Sequence, residues 1–346
     1  MLLFVIANPG RFGKWCQSVT AQLAAHGLGP VEHIEANTLD ALSRSLLRLG
    51  ASQSVVASPC PSGRLRAALS EAGRRFIVAR DDPRVALYDL VTQDRMGLAA
   101  ATRLVASSCA AVAGCISDPG ALVLDADRAG ADATTIAGAI AAHLQLPISS
   151  STAAEIAASL PDADAIPERG ASALWWSRLL DGDKAIALGA FGPYVDGLEP
   201  SQLRPVFWAP ELFQLSDRPA EPAAGPIDIT GRARRLLQGP HIILPAGEWS
   251  LSLRLLFSPE AAEHEFAIEI YADRPLHHQL IRAHSGGTFS VTIGFTVDEA
   301  AEHPIDISLS SQRAAFDGTV TMIGATLLLQ VDSSAAAAGI TSGQTN

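Results

Sequence analysis

Two short stretches bring together residues that could hold an anion. The first, Asn8-Pro9-Gly10-Arg11-Phe12-Gly13-Lys14-Trp15, places two glycines and two cations directly after an apolar run. A glycine turn that leads from a strand into a helix exposes backbone N–H groups at the positive end of the helix dipole, an arrangement suited to phosphate or sulfate. Lys14 sharpens the point, because Lys184 is the only other lysine in a chain that otherwise uses arginine. The stretch is not a Walker A loop: the spacing is short, and no Ser or Thr follows Lys14 to hold Mg²⁺. A plain strand-to-helix turn with a solvated lysine is the alternative. The second stretch, Phe76–Asp89 (FIVARDDPRVALYD), ends an apolar run in Arg80-Asp81-Asp82-Pro83-Arg84. Its paired acids could act as catalytic carboxylates, but acids at the C-terminal end of a strand more commonly cap the helix that follows.

The elements that must position these residues follow from periodicity. Leu2–Ala7 is a continuous apolar run of the kind buried parallel strands show, and Lys14–His26 carries Trp15, Val19 and Leu23 at helical spacing before Gly27. Thr38 is placed to cap a helix carrying Leu39, Leu42, Leu46 and Leu49 up to Gly50. Ser54–Ala57, Phe76–Ala79 and Ala121–Asp125 read as further strands. Helices carry Leu65, Ala68 and Leu69 up to Gly73, run through Val91, and span about Leu98–Ile116 and Ala133–Leu144. This alternation predicts a parallel sheet covered on both faces.

Residues 149–226 are less regular and rich in Pro, Asp and Ala, yet they hold Trp175, Trp176 and Trp208. Ser216–Pro226 (SDRPAEPAAGP) reads as the domain boundary. Beyond it the period becomes two. Trp249–Phe257, Glu265–Tyr271, Thr288–Val297 and Ile305–Ser311 all alternate between turn clusters, and Thr319–Gln330 closes the domain, which predicts an antiparallel sandwich or jelly roll. Residues 332–346 lack any anchor and read as a disordered tail.

The order and spacing of the two anion-suited stretches resemble the sulfotransferase family. The likeness spans about residues 1–150. In that family a turn of the form PxSGTTxx holds the 5′-phosphosulfate of PAPS, and an IxxxRDPRDVxxS segment grips its 3′-phosphate. Ala121–Pro147, a strand with Asp125-Ala126-Asp127 and then a helix ending HLQLP, resembles a third segment of the family. The resemblance implies PAPS or adenosine 3′,5′-bisphosphate as cofactor. Pro9, Gly10, Gly13 and Trp15 would fall in the first loop. Lys14 and Arg11 would neutralise the transferred group as catalytic residues, while Arg80 and Arg84 would hold the 3′-phosphate, with Tyr88 at the serine position of the second motif. The chain departs from the family where chemistry is done. Phe12, Lys14 and Trp15 replace the loop hydroxyls, and Ser58-Pro59-Cys60 stands where a catalytic His or acid is often delivered. Sulfuryl transfer needs a base on the acceptor and donors on the bridging oxygen, so the resemblance implies the fold more firmly than the reaction.

In the second half, Gly239–Trp249 (GPHIILPAGEW), with Asp228–Arg234 before it, resembles a stretch of small jelly-roll modules found beside bacterial glycan enzymes. That likeness implies carbohydrate binding, with Trp249 stacking on a sugar ring through its apolar face. The other reading buries Trp249 between two sheets.

Composition excludes several classes. Hydrophobic residues make up 48% and charged residues 18%, enough apolar material for a full core. A net charge of −11 argues against nucleic acid or an anionic membrane as partner. The excess is lopsided: residues 1–160 carry 13 basic and 13 acidic side chains, leaving 12 and 23 of the chain's 25 and 36 for the remainder. No apolar run reaches the roughly 18 residues of a spanning helix, and the N-terminus lacks the features of a signal peptide. Cys16, Cys60, Cys109 and Cys115 form no CxxC pair and read as buried thiols in a reducing cytoplasm. There is no GxSxG, HExxH or dinucleotide fingerprint. His277 and His278 would point to opposite faces of a strand, so no metal site is expected.

The sequence therefore predicts a three-layer, sulfotransferase-like α/β domain over residues 1–215, a linker at 216–226 and a β-sandwich at 227–331. The leading functional expectation is a divergent sulfotransferase-like protein of bacterial surface-glycan biosynthesis, with a glycan or a glycan-synthesis protein as partner. The competing expectation is a non-catalytic scaffold or glycan-binding protein. The two diverge on whether Arg11, Lys14 and Arg80 converge on an open anion pocket or are plugged and paired internally.

Overall fold

Leu2–Ala7 (β1) is apolar at every position because both of its faces are covered. Leu3, Val5 and Ala7 contribute to one buried cluster, while Phe4 and Ile6 contribute to another. The computed structural model describes residues 1–48, 53–126, 132–160, 169–196 and 203–330. The expected end of the second helix at Leu49–Gly50, Asp127 and the tail at 332–346 lie outside them.

β1 is the central strand of a five-stranded parallel sheet. Glu32–Glu35 (β2), Ser54–Ser58 (β3), Phe76–Arg80 (β4) and Ala121–Asp125 (β5) complete it, in the order β2-β3-β1-β4-β5. Arg11–Leu28 (α1) covers one face through Trp15, Val19 and Leu23. Leu39–Leu46 (α2) and Gly63–Glu71 (α3) cover the other through Leu42, Leu65 and Leu69. Thr38 caps α2 as the sequence suggests, accepting from Ala41 N at 3.1 Å, and Ser62 caps α3, accepting from Leu65 N at 3.2 Å. Pro83–Thr92 (α4) begins after Asp82, whose carboxylate accepts from Arg84 N at 2.8 Å, so this acid caps a helix. Leu98–Ala113 (α5), Ala133–His143 (α6) and Ser150–Ser159 (α7) follow, with α6 and α7 beside α1.

The stretch that reads as irregular contains three more helices, Arg169–Arg178 (α8), Asp181–Phe191 (α9) and Pro193–Asp196 (α10). The small residues of α8 and α9 give little contrast between faces, and the four residues of α10 are too few to show a period.

The sandwich begins earlier than Ile227. Val206–Trp208 (β6) and Gln214–Leu215 (β7) already belong to its sheets. The proline-rich segment is not a linker: Leu215 N donates to Glu221 O at 3.1 Å, Ala223 N donates to Phe213 O at 3.0 Å, and Ala223 is buried. It is a turn held against β7, and its Pro/Ala composition reads as flexible only when the chain is taken without its neighbours. Ile227–Asp228 (β8), Arg235–Ile242 (β9), Gly247–Phe257 (β10), Glu265–Tyr271 (β11), Pro275–Arg282 (β12), Gly287–Val297 (β13), Ile305–Ser311 (β14) and Thr319–Gln330 (β15) complete it. β12, with a proline and two histidines, is among the strands that alternation does not reveal. One sheet runs β13-β10-β15-β6 with β8 on β15, and the other runs β12-β11-β14-β9-β7. All pairings are antiparallel.

The two parts share a core. Leu87 and Leu90 of α4, Val105 of α5 and Phe191 of α9 belong to the same buried cluster as Trp208, Phe213, Trp249 and Phe266 of the sandwich. Loops at one end of the sandwich close the junction. Gly63 N donates to Ala301 O at 2.8 Å, Ile243 N donates to Ser107 Oγ at 3.1 Å, and Arg64 lies 3.5 Å from Glu302.

Candidate functional site

The β1–α1 turn has the predicted shape, and its glycines are required by close packing. Gly10 has φ +130°, and a Cβ there would lie 3.2 Å from Asp89 Oδ2 and 3.3 Å from the Ala86 backbone. A Cβ on Gly13 would sit 2.3 Å from Asn8 O. Both glycines let α1 approach its neighbours, and the neighbour at Gly10 is a carboxylate. Asp89, on α4 and 3% exposed at its side chain, accepts from Arg11 N at 2.8 Å and from Arg11 Nε at 3.0 Å. The chain itself supplies an anion at the α1 N-terminus.

The remaining predicted cations are also matched from within. Lys14 Nζ lies 3.0 Å from Asp94 Oδ2. Arg84 Nε donates to both oxygens of Asp82 at 3.0 Å. Arg80 lies 3.9 Å from Asp125, a loose pair at the C-terminal ends of β4 and β5. Phe12 and Trp15 are buried and stacked, with centroids 6.4 Å apart, in the core under α1. Tyr88 packs edge-on against Trp175 of α8, centroids 5.7 Å apart. Thus Arg11, Lys14 and Arg80 each have a carboxylate of their own, and they do not converge on one anion pocket. Proximity in sequence carries no hint of Asp89 and Asp94, because a helix packed across the turn brings them there.

Trp249 corrects the expected sugar platform. It is 1% exposed, its Nε1 donates to Pro245 O at 3.0 Å, and its indole fills the sandwich. The sequence holds the signal for this: Trp249 shares the parity of Leu251, Leu253, Leu255 and Phe257, all buried. At the opposite extreme, Phe316 in the β14–β15 loop is 99% exposed. The loop is braced at its base, where Gly231 and Ala315 exchange N–H···O bonds at 2.8 and 3.0 Å. Because the β13–β14 loop touches the α/β part, the β14–β15 loop lies at the free end of the sandwich.

A cavity of about 160 Å³ opens at the C-terminal ends of β1, β4 and β5. Arg80 and Asp125 line it together with Asn8, Cys109 and Tyr194. Ligands in open parallel sheets favour this edge. Among the described residues, no group of three or more His, Cys, Asp or Glu side chains could hold a metal ion, and no helix is long and apolar enough to cross a membrane.

No protein-family profile matches the chain, and no curated protein matches it. Among solved structures, weak likenesses fall on the C-terminal β part. TmCBM61, in complex with β-1,4-galactotriose, is 13% identical with a TM-score of 0.24, covering 30% of this chain and 70% of that one. A family 16 carbohydrate-binding module is 12% identical, TM-score 0.24, covering 30% and 75%. The VP2 subviral particle of infectious bursal disease virus is 13% identical, TM-score 0.24, covering 36% and 32%. Sugar-binding modules and a virus particle stand at the same weak level, so these likenesses do not choose a ligand.

Proposed function

We propose that this chain is a non-catalytic binding protein of glycan recognition or assembly. Its α/β part is a folded platform, and its sandwich presents the β14–β15 loop end to a glycan. The observation that carries this reading is Asp89 on the α1 N-terminus: a bound phosphosulfate would have to displace a buried carboxylate from the place it needs. Phe316 supplies a braced and wholly exposed ring face of the kind that stacks on a sugar. A glycan-array screen of the full chain tests the reading. Hits lost in Phe316→Ala are expected, and retention of every hit in that variant overturns the assignment of the loop.

A second reading keeps the anionic cofactor suggested by the sulfotransferase resemblance, and the loose Arg80–Asp125 pair beside an open cavity favours it. Its test is a thermal-shift titration with adenosine 3′,5′-bisphosphate on wild type and Arg80→Ala. A saturable shift in wild type that the variant loses would replace the platform reading with a nucleotide-binding one. No shift at millimolar concentration is the outcome expected of the platform.

A further inference from the structure

Strand β13 ends its sheet, and its outer edge is unguarded. Its 11 residues pair with β10 in unbroken register, and on the other side they have no hydrogen-bond partner among the described residues. Such an edge offers a row of backbone N–H and C=O groups to another chain, and proteins that stay monomeric blunt it with short strands, charge, proline or a bulge. The other edge strands of the sandwich carry those devices. β6, β7 and β8 are two or three residues long. β12 starts at Pro275 and ends at Arg282, and its register on β11 shifts between Ile270 and Tyr271. β13 (GTFSVTIGFTV) has no charge, no proline and no shift of register.

Both faces of the strand are open to a neighbour. On the core side Ile293, Phe295 and Val297 are buried, whereas Phe289 and Val291, of the same parity, are only partly covered. On the outer side Thr288, Ser290, Thr292, Gly294 and Thr296 are exposed, and a Cβ on Gly294 would meet nothing within 4 Å.

We infer that two copies of this chain associate through β13, by antiparallel pairing of one β13 with the other about a two-fold axis at Thr292. A two-fold contact requires a surface complementary to itself. A chain of net charge −11 repels its own copy, so its self-contact belongs where charge is absent. A basic partner would instead be met by the acidic surface of this half. Pairing all 11 residues sets Thr292 opposite Thr292 of the second copy, Ser290 opposite Gly294 and Thr288 opposite Thr296. On the core side it sets Val291 opposite Ile293 and Phe289 opposite Phe295, which covers the two partly exposed side chains. With Ser252 beside Thr292 on β10, the central row becomes four hydroxyls across the joined sheets, a favourable cross-strand pairing. Arg254 beside Ser290 and Glu248 beside Thr296 fall in separate rows, so no like charges meet. Asp298, just past the strand, would lie about 40 Å from its counterpart at strand rise, several Debye lengths away. The Phe316 loop takes no part in the contact, so the inference is independent of glycan binding.

The test is sedimentation velocity of the full chain without ligand, from low to high micromolar concentration, on wild type, Thr292→Lys and Thr292→Glu. Thr292 is exposed, so both variants should keep the circular dichroism of wild type. The expected result is a monomer–dimer equilibrium in the micromolar range for wild type. Each variant alone places like charges on the axis and should associate at least ten-fold more weakly, and an equimolar mixture of the two should recover the dimer. A wild type that stays monomeric at every concentration, a dimer that both variants keep, or a mixture that stays monomeric would overturn the inference. Hydrogen exchange of wild type gives a second reading that needs no variant. The peptide over 287–297 should exchange more slowly at high concentration than at low, and equal rates would overturn the inference as well.

Discussion

Asp89 meets Arg11 twice, through the backbone N–H at 2.8 Å and through the guanidinium Nε at 3.0 Å. One buried carboxylate therefore fills two roles that an anionic ligand would otherwise fill: it satisfies an orphan donor of the α1 N-terminus and neutralises the adjacent cation. Asp89→Ala should lower stability by about 2 kcal/mol, less than for a fully buried pair because Arg11 is partly exposed to water. It should also create an anion site. Sulfate or phosphate at millimolar concentration is expected to raise the Tm of Asp89→Ala by several degrees and to leave wild type unchanged. Equal shifts in the two proteins would show that the carboxylate does not occupy the place of an anion.

Trp249 belongs to the core, and its substitution reports on folding before it reports on any ligand. Trp249→Ala removes a fully buried indole and should cost roughly 3–5 kcal/mol. Trp249→Phe keeps most of the volume but leaves Pro245 O without its donor, and should cost about half as much. Chemical denaturation followed by far-UV circular dichroism measures both. A Trp249→Ala protein as stable as wild type would contradict the burial.

Legibility followed the range of the forces involved. The alternating strands, the Thr38 cap and the Asp82 cap were readable because each depends on residues two to four positions apart. The fate of Arg11 and Lys14 was not, because it depends on α4 and the turn after it crossing a strand-to-helix turn some 75 to 80 residues away in sequence. Trp249 stands between these cases. Its parity with Leu251 and Leu253 points inward, whereas the glycan-module resemblance draws attention outward, and packing decides for the former. The segment at 216–226 shows the converse error, since composition suggested a linker where β7 and Phe213 hold a turn.

Gly13 separates a packing role from a ligand-cradling role. A Cβ at this position would lie 2.3 Å from Asn8 O and 2.9 Å from Ala7 Cβ, so α1 would have to move off the end of β1. Gly13→Ala should therefore destabilise by at least about 2 kcal/mol in the absence of any ligand. The measurement is a urea unfolding curve of each protein. A variant with unchanged stability and altered ligand response would assign Gly13 to a binding loop instead.

The four cysteines predict an alkaline limit on stability. Burial pushes the thiols of Cys60, Cys109 and Cys115 from the ordinary 9.0 up to about 12, and raises Cys16 as well. For Cys109 the nearby Cys60 adds to the rise, while Arg80 and the Asn8 amide act against it. In the folded chain these groups keep their protons at pH values where the unfolded chain has released them. The folded state then binds more protons than the unfolded one, so stability falls as pH rises. Below pH 9 this contribution is fully present, and it is lost progressively from pH 9 towards 12. Urea unfolding between pH 8 and 11 should show that decline, and Cys109→Ala should make it shallower by removing one of the groups that drives it. At pH 8 a thiol-specific reagent should label the native chain only at the rate of its unfolding and label all four cysteines at once in denaturant, since the thiolate is the reactive form and all four side chains are buried. Rapid labelling of one cysteine in the native chain would show an open path to that thiol and remove it from the set that sets the alkaline limit.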